Sequence, residues 1–224
     1  MTTFIVSGTD TGVGKTVVTA GIAPDAGMES DIEAVDRLAA PASARTLVSY
    51  PDALAPLAAA EEAGAVPLAI GDVIEAVRLL EDSHDLVLVE GAGGLLVPMG
   101  EGGWTVADLA VALRCPVVVV CRADLGTLNH TALTLEALGH RGVRGPVVVG
   151  SWPEVPELVH WRNLSDLRGE LAGVLPAGVG KLPRRVFAER APEWFTPRLY
   201  GRADQERLRV DGVPGPPPPW PDEP

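Results

Sequence analysis

The run Gly8–Thr16 (GTDTGVGKT) constrains the fold of this chain more than any other feature. It follows a short apolar segment, Phe4–Val6, and leads into a segment, 17–23, that can begin a helix. Glycines in such a run let successive backbone N–H groups point inward, and the helix that follows adds its positive end. The sequence therefore predicts a strand, a phosphate-binding loop and a helix in immediate succession.

The side chains of this phosphate loop (Gly8–Thr16) indicate what it binds. Lys15 is placed to reach the outer phosphates of a nucleoside triphosphate, and the hydroxyl of Thr16 is placed to ligate Mg²⁺. Thr9 stands where the G-x-x-x-x-G-K-[ST] pattern has its first glycine. The alternative, a glycine-rich turn with a chance Gly-Lys-Thr, is disfavoured by the apolar segment before the loop and the helical one after it.

The composition limits the partners of such a site. The 224 residues fit one domain, or one domain with an appended tail, and the 46% hydrophobic but only 4% aromatic content predicts a core of Ala, Val and Leu. The net charge of −12 argues against nucleic acid or an anionic membrane as partner. Cys115 and Cys121 have no metal or redox spacing and are expected to be small core residues. With no secretory signal and no apolar run of membrane-spanning length, we expect a cytoplasmic protein.

Short apolar runs alternate with helical patterns along the chain. The predicted strands are Phe4–Val6, Leu86–Val89, Val117–Cys121 and Val147–Val149. The predicted helices include Val73–Leu80, Thr105–Leu113 and Leu128–Leu138. Runs that are apolar on both faces are typical of parallel strands covered by helices. The pattern predicts an α/β fold with a doubly wound, mostly parallel sheet, helices on both faces, and ligands at the carboxyl ends of the strands.

The end of the chain has a different composition. From Gly212 onward the sequence is GVPGPPPPWPDEP, which cannot supply regular helix or ladder hydrogen bonds. We predict a domain over residues 1–199 and a Pro-rich, disordered tail over 200–224. A ligand for a proline-recognition domain is the alternative function for this tail.

Two acidic residues are candidates for the magnesium site. Glu90 ends an apolar strand and precedes the glycine turn 91–94, which is where a carboxylate completes the Mg²⁺ shell in phosphate-loop proteins. Taken alone, Glu90 could equally be a helix cap or a solvated strand end. Asp31 opens a segment with Ile32, Val35 and Leu38 on one helical face, so its pattern alone indicates an N-cap residue.

Three segments together resemble the dethiobiotin synthetase family: Gly8–Thr16, Val89–Pro98 (VEGAGGLLVP) and Ala123–Leu138 (ADLGTLNHTALTLEAL). The segment 150–153 (GSWP) is similar to a variant in actinobacterial members. The resemblance runs from Thr3 to about Ala177 with one gap. It implies a homodimeric enzyme of the P-loop NTPase fold that closes the ureido ring of dethiobiotin. The family uses 7,8-diaminononanoate, CO₂ and MgATP, and releases ADP and phosphate.

The resemblance also implies roles for individual residues. Lys15 would be catalytic, and Thr16, Asp31 and Glu90 would hold Mg²⁺. The segment Leu125–His130 would lie near the diamine's carboxylate, across the dimer interface. The residues that would bind the nucleotide, with 150–151 at its base and 176–178 forming the adenine-side turn, are Gly12, Val13, Gly14, Lys15, Thr16, Val17, Asp31, Glu90, Gly91, Ala92, Gly93, Gly150, Ser151, Pro176, Ala177 and Gly178.

One departure from the family pattern is large. The family has a Lys-Pro-x-x-[TS]-Gly motif after a second strand, and its lysine is catalytic. This chain lacks that motif, and about 18 residues are missing, enough for one strand and part of the first helix of a βαβ unit. No lysine occurs between Lys15 and Lys181, so Arg37 or Arg45 is the candidate substitute.

The departure leaves three functions open. The first is a working dethiobiotin synthetase, and the second is a degenerate homologue that binds nucleotide without catalysis. The third is a partitioning-type P-loop ATPase switch, which ranks last because this chain has Thr9 and Asp10 where that class places a second lysine.

Overall fold

A five-stranded sheet organises the part of the chain that the structure, a computed structural model, describes: residues 2–22, 31–167 and 169–212. All neighbouring strands are parallel, in the order β2-β1-β3-β4-β5. The strands are β1 (Thr2–Gly8), β2 (Leu86–Gly94), β3 (Val117–Cys121), β4 (Val147–Trp152) and β5 (Leu171–Pro176). The α/β fold with a parallel sheet, predicted from the sequence, is thereby confirmed.

Helices surround this sheet. They are α1 (Lys15–Ile22), α2 (Asp31–Leu38), α3 (Pro56–Glu62), α4 (Ile70–Glu81), α5 (Val106–Leu113), α6 (Thr127–Gly139), α7 (Leu158–Asp166), α8 (Arg184–Arg190) and α9 (Gln205–Asp211). The start of α5 shows why a helix begins where it does. Thr105 accepts a hydrogen bond from the backbone N–H of Asp108, whose carboxylate accepts one from the backbone of Thr105.

Burial follows the position of each strand in the sheet. The central strand β3 is a run of Val and Cys buried along its whole length, and β1 is nearly as buried. Strand β2 stands at the border and is mostly half-buried. The described residues between α1 and β2 contain no strand, in keeping with the expected loss of one strand there. Only two turns of α1 are described, and residues 23–30 lie outside the described part of the chain.

Strand β5, which the sequence analysis did not predict, is closed by the C-terminal part of the chain. The backbone N–H of Val174 donates to the carbonyl of Trp194, and that of Thr196 donates to Ala172. Helix α9 then packs on β5, with Leu208 buried. Helix α9 therefore lies within the predicted tail, 200–224, and the described part of the chain ends at Gly212. The remainder of the predicted tail, 213–224, lies outside the described residues.

Two further expectations concern burial. Cys115 and Cys121 are both buried, and burial raises the pKa of each thiol to about 11, as expected for core residues without thiolate chemistry. Among the helices that the structure describes, none combines the length and the apolar composition needed to cross a bilayer.

Candidate active site

The parallel sheet brings all the strand ends that carry predicted site residues to one edge. Strand β1 ends in the phosphate loop, β2 in Glu90–Gly94 and β4 in Gly150–Trp152. The adenine-side turn, 176–178, follows β5, and Leu125–His130 follows β3. Because the carboxyl ends of parallel strands share an edge, residues more than 160 positions apart in the sequence meet there.

The backbone of the phosphate loop turns through positive φ angles at Gly12 (72°) and Gly14 (94°) before α1 begins at Lys15. A side chain at Gly14 would be strained by this conformation, and its Cβ would lie 2.8 Å from the carbonyl oxygen of Gly150. The backbone N–H of Thr9 donates to the carbonyl of Val120, which fixes the loop to β3. The first N–H groups of α1 therefore open onto a concave backbone, as anion binding requires.

Lys15 is held over this loop. Its side chain is buried, and its Nζ donates to the backbone carbonyl of Asp10 at 3.2 Å. The ammonium group therefore lies against the backbone of the same phosphate loop, at Asp10. This is the position from which a lysine contacts the outer phosphates.

Thr16 and Glu90, two of the three predicted magnesium ligands, are in direct contact. The hydroxyl of Thr16 donates to Oε1 of Glu90 at 2.8 Å. The hydroxyl of Thr19, which the sequence analysis missed, donates to Oε2 of the same carboxylate at 2.7 Å. Thr19 lies one helical turn after Lys15, so this spacing within α1 was the signal that could have identified it. The two threonines hold both oxygens of Glu90 beside the phosphate loop.

The oxygen groups of this pair suit Mg²⁺. Carboxylate and hydroxyl oxygens are hard ligands, and magnesium is usually held by one or two carboxylates while phosphate oxygens and waters complete its octahedron. Among the described residues no group of three or more His, Cys, Asp and Glu forms a metal-binding cluster. Asp31, the third predicted ligand, is the first residue of α2, and its side chain lies outside the described part of the structure.

Gly91 follows Glu90 within β2, which continues to Gly94, so the glycine turn predicted at 91–94 is wrong, and Gly91 packs against α5. A Cβ at Gly91 would lie 2.4 Å from Cγ2 of Val106, so a side chain here would push the strand away from the helix. Ala92 and Gly93 follow, with Ala92 exposed. The contact of Gly91 with α5 therefore fixes the end of β2 directly after Glu90.

The predicted base-binding residues also meet the phosphate loop. A Cβ at Gly150 would lie only 2.0 Å from the carbonyl oxygen of Val13, so the loop packs directly on the end of β4. Ser151 is exposed beside this contact. The N–H of Ala177 donates to the carbonyl of Trp152 at 2.7 Å, which ties the adenine-side turn to β4. Val17 of α1 lies against Gly180, just beyond that turn.

The loop after β3 is held by three hydrogen bonds from two side chains. The hydroxyl of Thr127 donates to the carbonyl of Arg122 at 2.7 Å. The side-chain amide of Asn163 donates to the carbonyls of Ala123 (2.9 Å) and Asp124 (3.0 Å). Leu125 and His130 are exposed, and α6 begins between them at Thr127. This anchored loop presents the start of α6 to the same edge as the phosphate loop.

The arginines named as substitutes for the missing lysine point elsewhere or to solvent. The guanidinium of Arg37 donates to the carbonyl of Gly180 at 2.6 Å and so ties α2 to the segment after the adenine-side turn. Arg45 is exposed in an irregular segment. An arginine that the sequence analysis did not consider, Arg122, contacts Asp10 of the phosphate loop.

Comparisons with known proteins agree with this geometry. A family model described as an AAA domain matches residues 2–177. An ATP-dependent dethiobiotin synthetase of Saccharopolyspora erythraea is 48% identical over 90% of this chain and 99% of its own length. Relatives of the same name from Frankia casuarinae (46% identical, 94% of this chain and 100% of the relative) and Rhodococcus jostii (44%, 87% and 95%) are similarly close.

The coverage also bears on the missing segment. The alignment with the S. erythraea protein runs over 223 positions but covers 90% of this 224-residue chain, so that relative has residues with no counterpart here. Among solved structures, a chain of the MinC:MinD cell division protein complex of Aquifex aeolicus is 15% identical, with a TM-score of 0.45 over 85% of this chain and 86% of that chain. The identity and coverage of the curated relatives establish the family. This chain belongs to the ATP-dependent dethiobiotin synthetases.

Proposed function

We propose that this chain closes the ureido ring of dethiobiotin from 7,8-diaminononanoate and CO₂, converting ATP to ADP and phosphate. The observation that carries the proposal is the set formed by Lys15, Thr16 and Glu90 at the phosphate loop of a chain that belongs to this family. The set supplies what phosphoryl transfer needs from a protein: a backbone cradle, a cation over the outer phosphates, and oxygen ligands for Mg²⁺.

The nucleotide is placed by α1 and the strand ends around it. The N–H groups at the start of α1 and the Nζ of Lys15 bind the phosphates, and Gly150, Ser151 and the adenine-side turn take the base. Thr16 and Glu90, with Asp31 as the proposed third ligand, hold Mg²⁺, which supplies charge neutralisation of the phosphate oxygens when bound. Thr19 orients the Glu90 carboxylate through its 2.7 Å hydrogen bond.

The reaction then needs mainly positioning and charge stabilisation. One amine of the substrate takes up CO₂ as a carbamate, whose oxygen attacks the γ-phosphorus while the bond to ADP breaks. Lys15 stabilises the negative charge that gathers on the transferring phosphoryl oxygens. The neighbouring amine attacks the resulting mixed anhydride, loses a proton and expels phosphate. The loop Leu125–His130 orients the diamine, whose carboxylate binds at the start of α6.

We also propose that the enzyme is a homodimer that covers an exposed apolar cluster beside this loop. Leu125, Val155 and Leu158 are 87%, 81% and 76% exposed. Oδ1 of Asp124 lies 3.2 Å from Nε2 of His160. This contact brings the segment that carries Leu125 close to the segment that carries Leu158. A second copy would bury these side chains and complete the substrate-binding edge. Sedimentation velocity is expected to show a dimer at micromolar concentration, and a monomer there would contradict this proposal.

A second function is favoured by one observation. The lysine motif of the family is absent from this sequence, and of the two candidate substitutes Arg37 donates to the carbonyl of Gly180 while Arg45 is exposed. A chain with the phosphate loop but without that cation would bind MgATP and fail to complete ring closure. The alternative is therefore a nucleotide-binding homologue without synthetase activity.

One experiment separates the two functions. The purified chain is incubated with diaminononanoate, bicarbonate and MgATP, and dethiobiotin is measured by mass spectrometry, with Lys15→Ala as the blank. Product that disappears in the blank is the expected result. MgATP binding without product would favour the non-catalytic homologue, and the absence of both would contradict both functions.

A further inference from the structure

Arg122 forms an ion pair with the phosphate loop. Its Nη2 lies 2.5 Å from Oδ2 of Asp10, across a sequence separation of 112 residues. The other carboxylate oxygen of Asp10, Oδ1, accepts a hydrogen bond of 2.7 Å from the backbone N–H of Thr11. Both oxygens are therefore engaged, and the carboxylate is fixed within the loop.

The position of Arg122 in the fold distinguishes it from the residues that follow the other strands. It follows directly on the last residue of β3, at the sheet edge where the phosphate loop lies. Each other strand is followed by an uncharged residue: Thr9, Leu95, Pro153 and Ala177. Among the residues that directly follow the five strands, Arg122 is thus the one with a positive charge. Lys15, at the start of α1, is a second positive charge at this edge.

The pair has an electrostatic consequence for phosphate binding. A carboxylate in a loop that must accept a triphosphate repels its ligand, and the site already holds the carboxylate of Glu90. The chain as a whole carries a net charge of −12, which adds to the repulsion. A guanidinium paired with Asp10 cancels one of these negative charges.

We propose that Arg122 is a positioning residue that neutralises Asp10 and thereby sets the affinity of the phosphate loop for MgATP. The proposal rests on the proposed nucleotide site and adds a group to it that acts through Asp10. Lys15 is held by the same residue, since its Nζ donates to the Asp10 carbonyl. Arg122 therefore fixes Asp10, whose carbonyl accepts the hydrogen bond from Lys15, and cancels the negative charge of the Asp10 side chain.

The backbone around Arg122 permits a clean test. Its carbonyl accepts the hydroxyl of Thr127, and the next two carbonyls accept the amide of Asn163, so the loop is held by contacts that do not involve the guanidinium. The Arg122 and Asp10 side chains are 45% and 51% exposed. Truncation of either side chain therefore leaves no buried group without a partner and is expected to preserve the fold.

The test is a double-mutant cycle on MgATP binding, measured by isothermal titration calorimetry of the full chain. The variants are Arg122→Ala, Asp10→Ala and the double variant. The matched control is Arg141→Ala, which removes the same charge from a partly exposed pair with Asp108, whose 3.8 Å contact joins the turn after α6 to α5. This control reports the effect of net charge alone.

The expected results follow from the charges. Arg122→Ala weakens MgATP binding about tenfold, because Asp10 is left uncompensated. Asp10→Ala alone binds about twofold more tightly, and in the double variant it restores the affinity to within about threefold of the wild type. The loss in Arg122→Ala also shrinks as salt is raised from low to physiological strength. Arg141→Ala keeps the wild-type affinity.

Two outcomes overturn the proposal alone: a wild-type affinity in Arg122→Ala, or a double variant as weak as that single variant. The first would show that the pair carries no charge effect, and the second that Arg122 acts on the fold of the loop. If the wild-type chain does not bind MgATP, both this proposal and the proposed function are wrong. Because binding is measured without turnover, absence of synthetase activity does not affect the test.

Discussion

The phosphate-loop region (residues 2–22 and 86–94) and the C-terminal region (residues 171–212) both bury apolar side chains, but they differ in the contacts made at the sheet edge. In the first, polar side chains meet across the sheet edge, as in the hydrogen bonds of Thr16 and Thr19 with Glu90. In the second, large apolar side chains close on β5: Trp194, Phe195, Leu199 and Leu208 are all buried there. Both regions thus gain stability from apolar burial, and the first also buries polar groups, at some cost in free energy.

This difference predicts whether a substitution in each region should change nucleotide binding or the free energy of unfolding. Removing a polar group from the phosphate-loop region should change nucleotide binding or turnover while unfolding is little affected. Removing apolar volume from the C-terminal region should lower the free energy of unfolding while the phosphate site keeps its affinity. Four substitutions test the division, in order of decreasing expected effect.

Lys15→Ala should have the largest effect, because it removes the cation that stabilises the transferring phosphoryl group. We expect a fall of about 10³-fold in kcat/KM for ATP, measured by coupled ADP release or by dethiobiotin formation. The midpoint of urea unfolding should stay close to that of the wild type. A large loss of stability together with the loss of activity would break the division between the two regions.

Glu90→Gln should come next. The amide keeps the shape of the side chain but removes the negative charge that favours Mg²⁺, so the concentration of Mg²⁺ needed for half-maximal activity should rise about 100-fold. Titration with Mg²⁺ at saturating ATP measures this directly. An unchanged requirement would show that the metal is held elsewhere in the chain.

Leu208→Ala tests the C-terminal region. Leu208 is buried where α9 packs on β5, so its truncation should lower the free energy of unfolding by about 2 kcal/mol. Val210→Ala is the matched control, since Val210 lies in the same helix and is 73% exposed. Chemical denaturation gives the stability, and MgATP affinity should be unchanged in both variants. Equal effects of the two substitutions would contradict the packing of α9.

Thr19→Val should have the smallest effect of the four. It keeps the volume in α1 but removes the hydrogen bond to Oε2 of Glu90, so the Mg²⁺ requirement should rise about tenfold. Thr134→Val is a close control, because each hydroxyl lies within hydrogen-bond distance of the carbonyl four residues earlier, and Thr134 lies in α6. A similar response in the two variants would mean that the bond to Glu90 does not matter for the metal.

The sequence analysis predicted those parts of the site whose residues are neighbours in the chain. The phosphate loop, Lys15 and Thr16 follow one another, and Glu90 ends a clear apolar strand, so each could be identified from local pattern. Thr19 and Arg122 were missed because their roles depend on partners 71 and 112 residues away. Those contacts exist only once the parallel strands place their ends side by side.

The C-terminal region was predicted less well for a related reason. Helix α9 (QERLRVD) buries only Leu208, so its sequence has almost no apolar periodicity. The residues that mark this helix in the sequence are those at its two ends. Asp204 accepts a hydrogen bond of 2.9 Å from the N–H of Arg207, and Gly212 follows the helix with a φ of 64°. The prediction assigned the residues of α9 to the same tail as the proline-rich segment from Gly212 onward, although α9 packs on β5.

The border position of β2 explains how a chain of this kind can lose residues and keep its site. Strands inside the sheet are fixed by a neighbour on each side, whereas β2 is paired through β1 alone in the described sheet. Insertions and deletions between α1 and β2 therefore change what lies outside β2 and leave the spacing of the five strand ends intact. Along a lineage, this border is where the chain can be shortened or extended at the lowest risk to the geometry that binds phosphate.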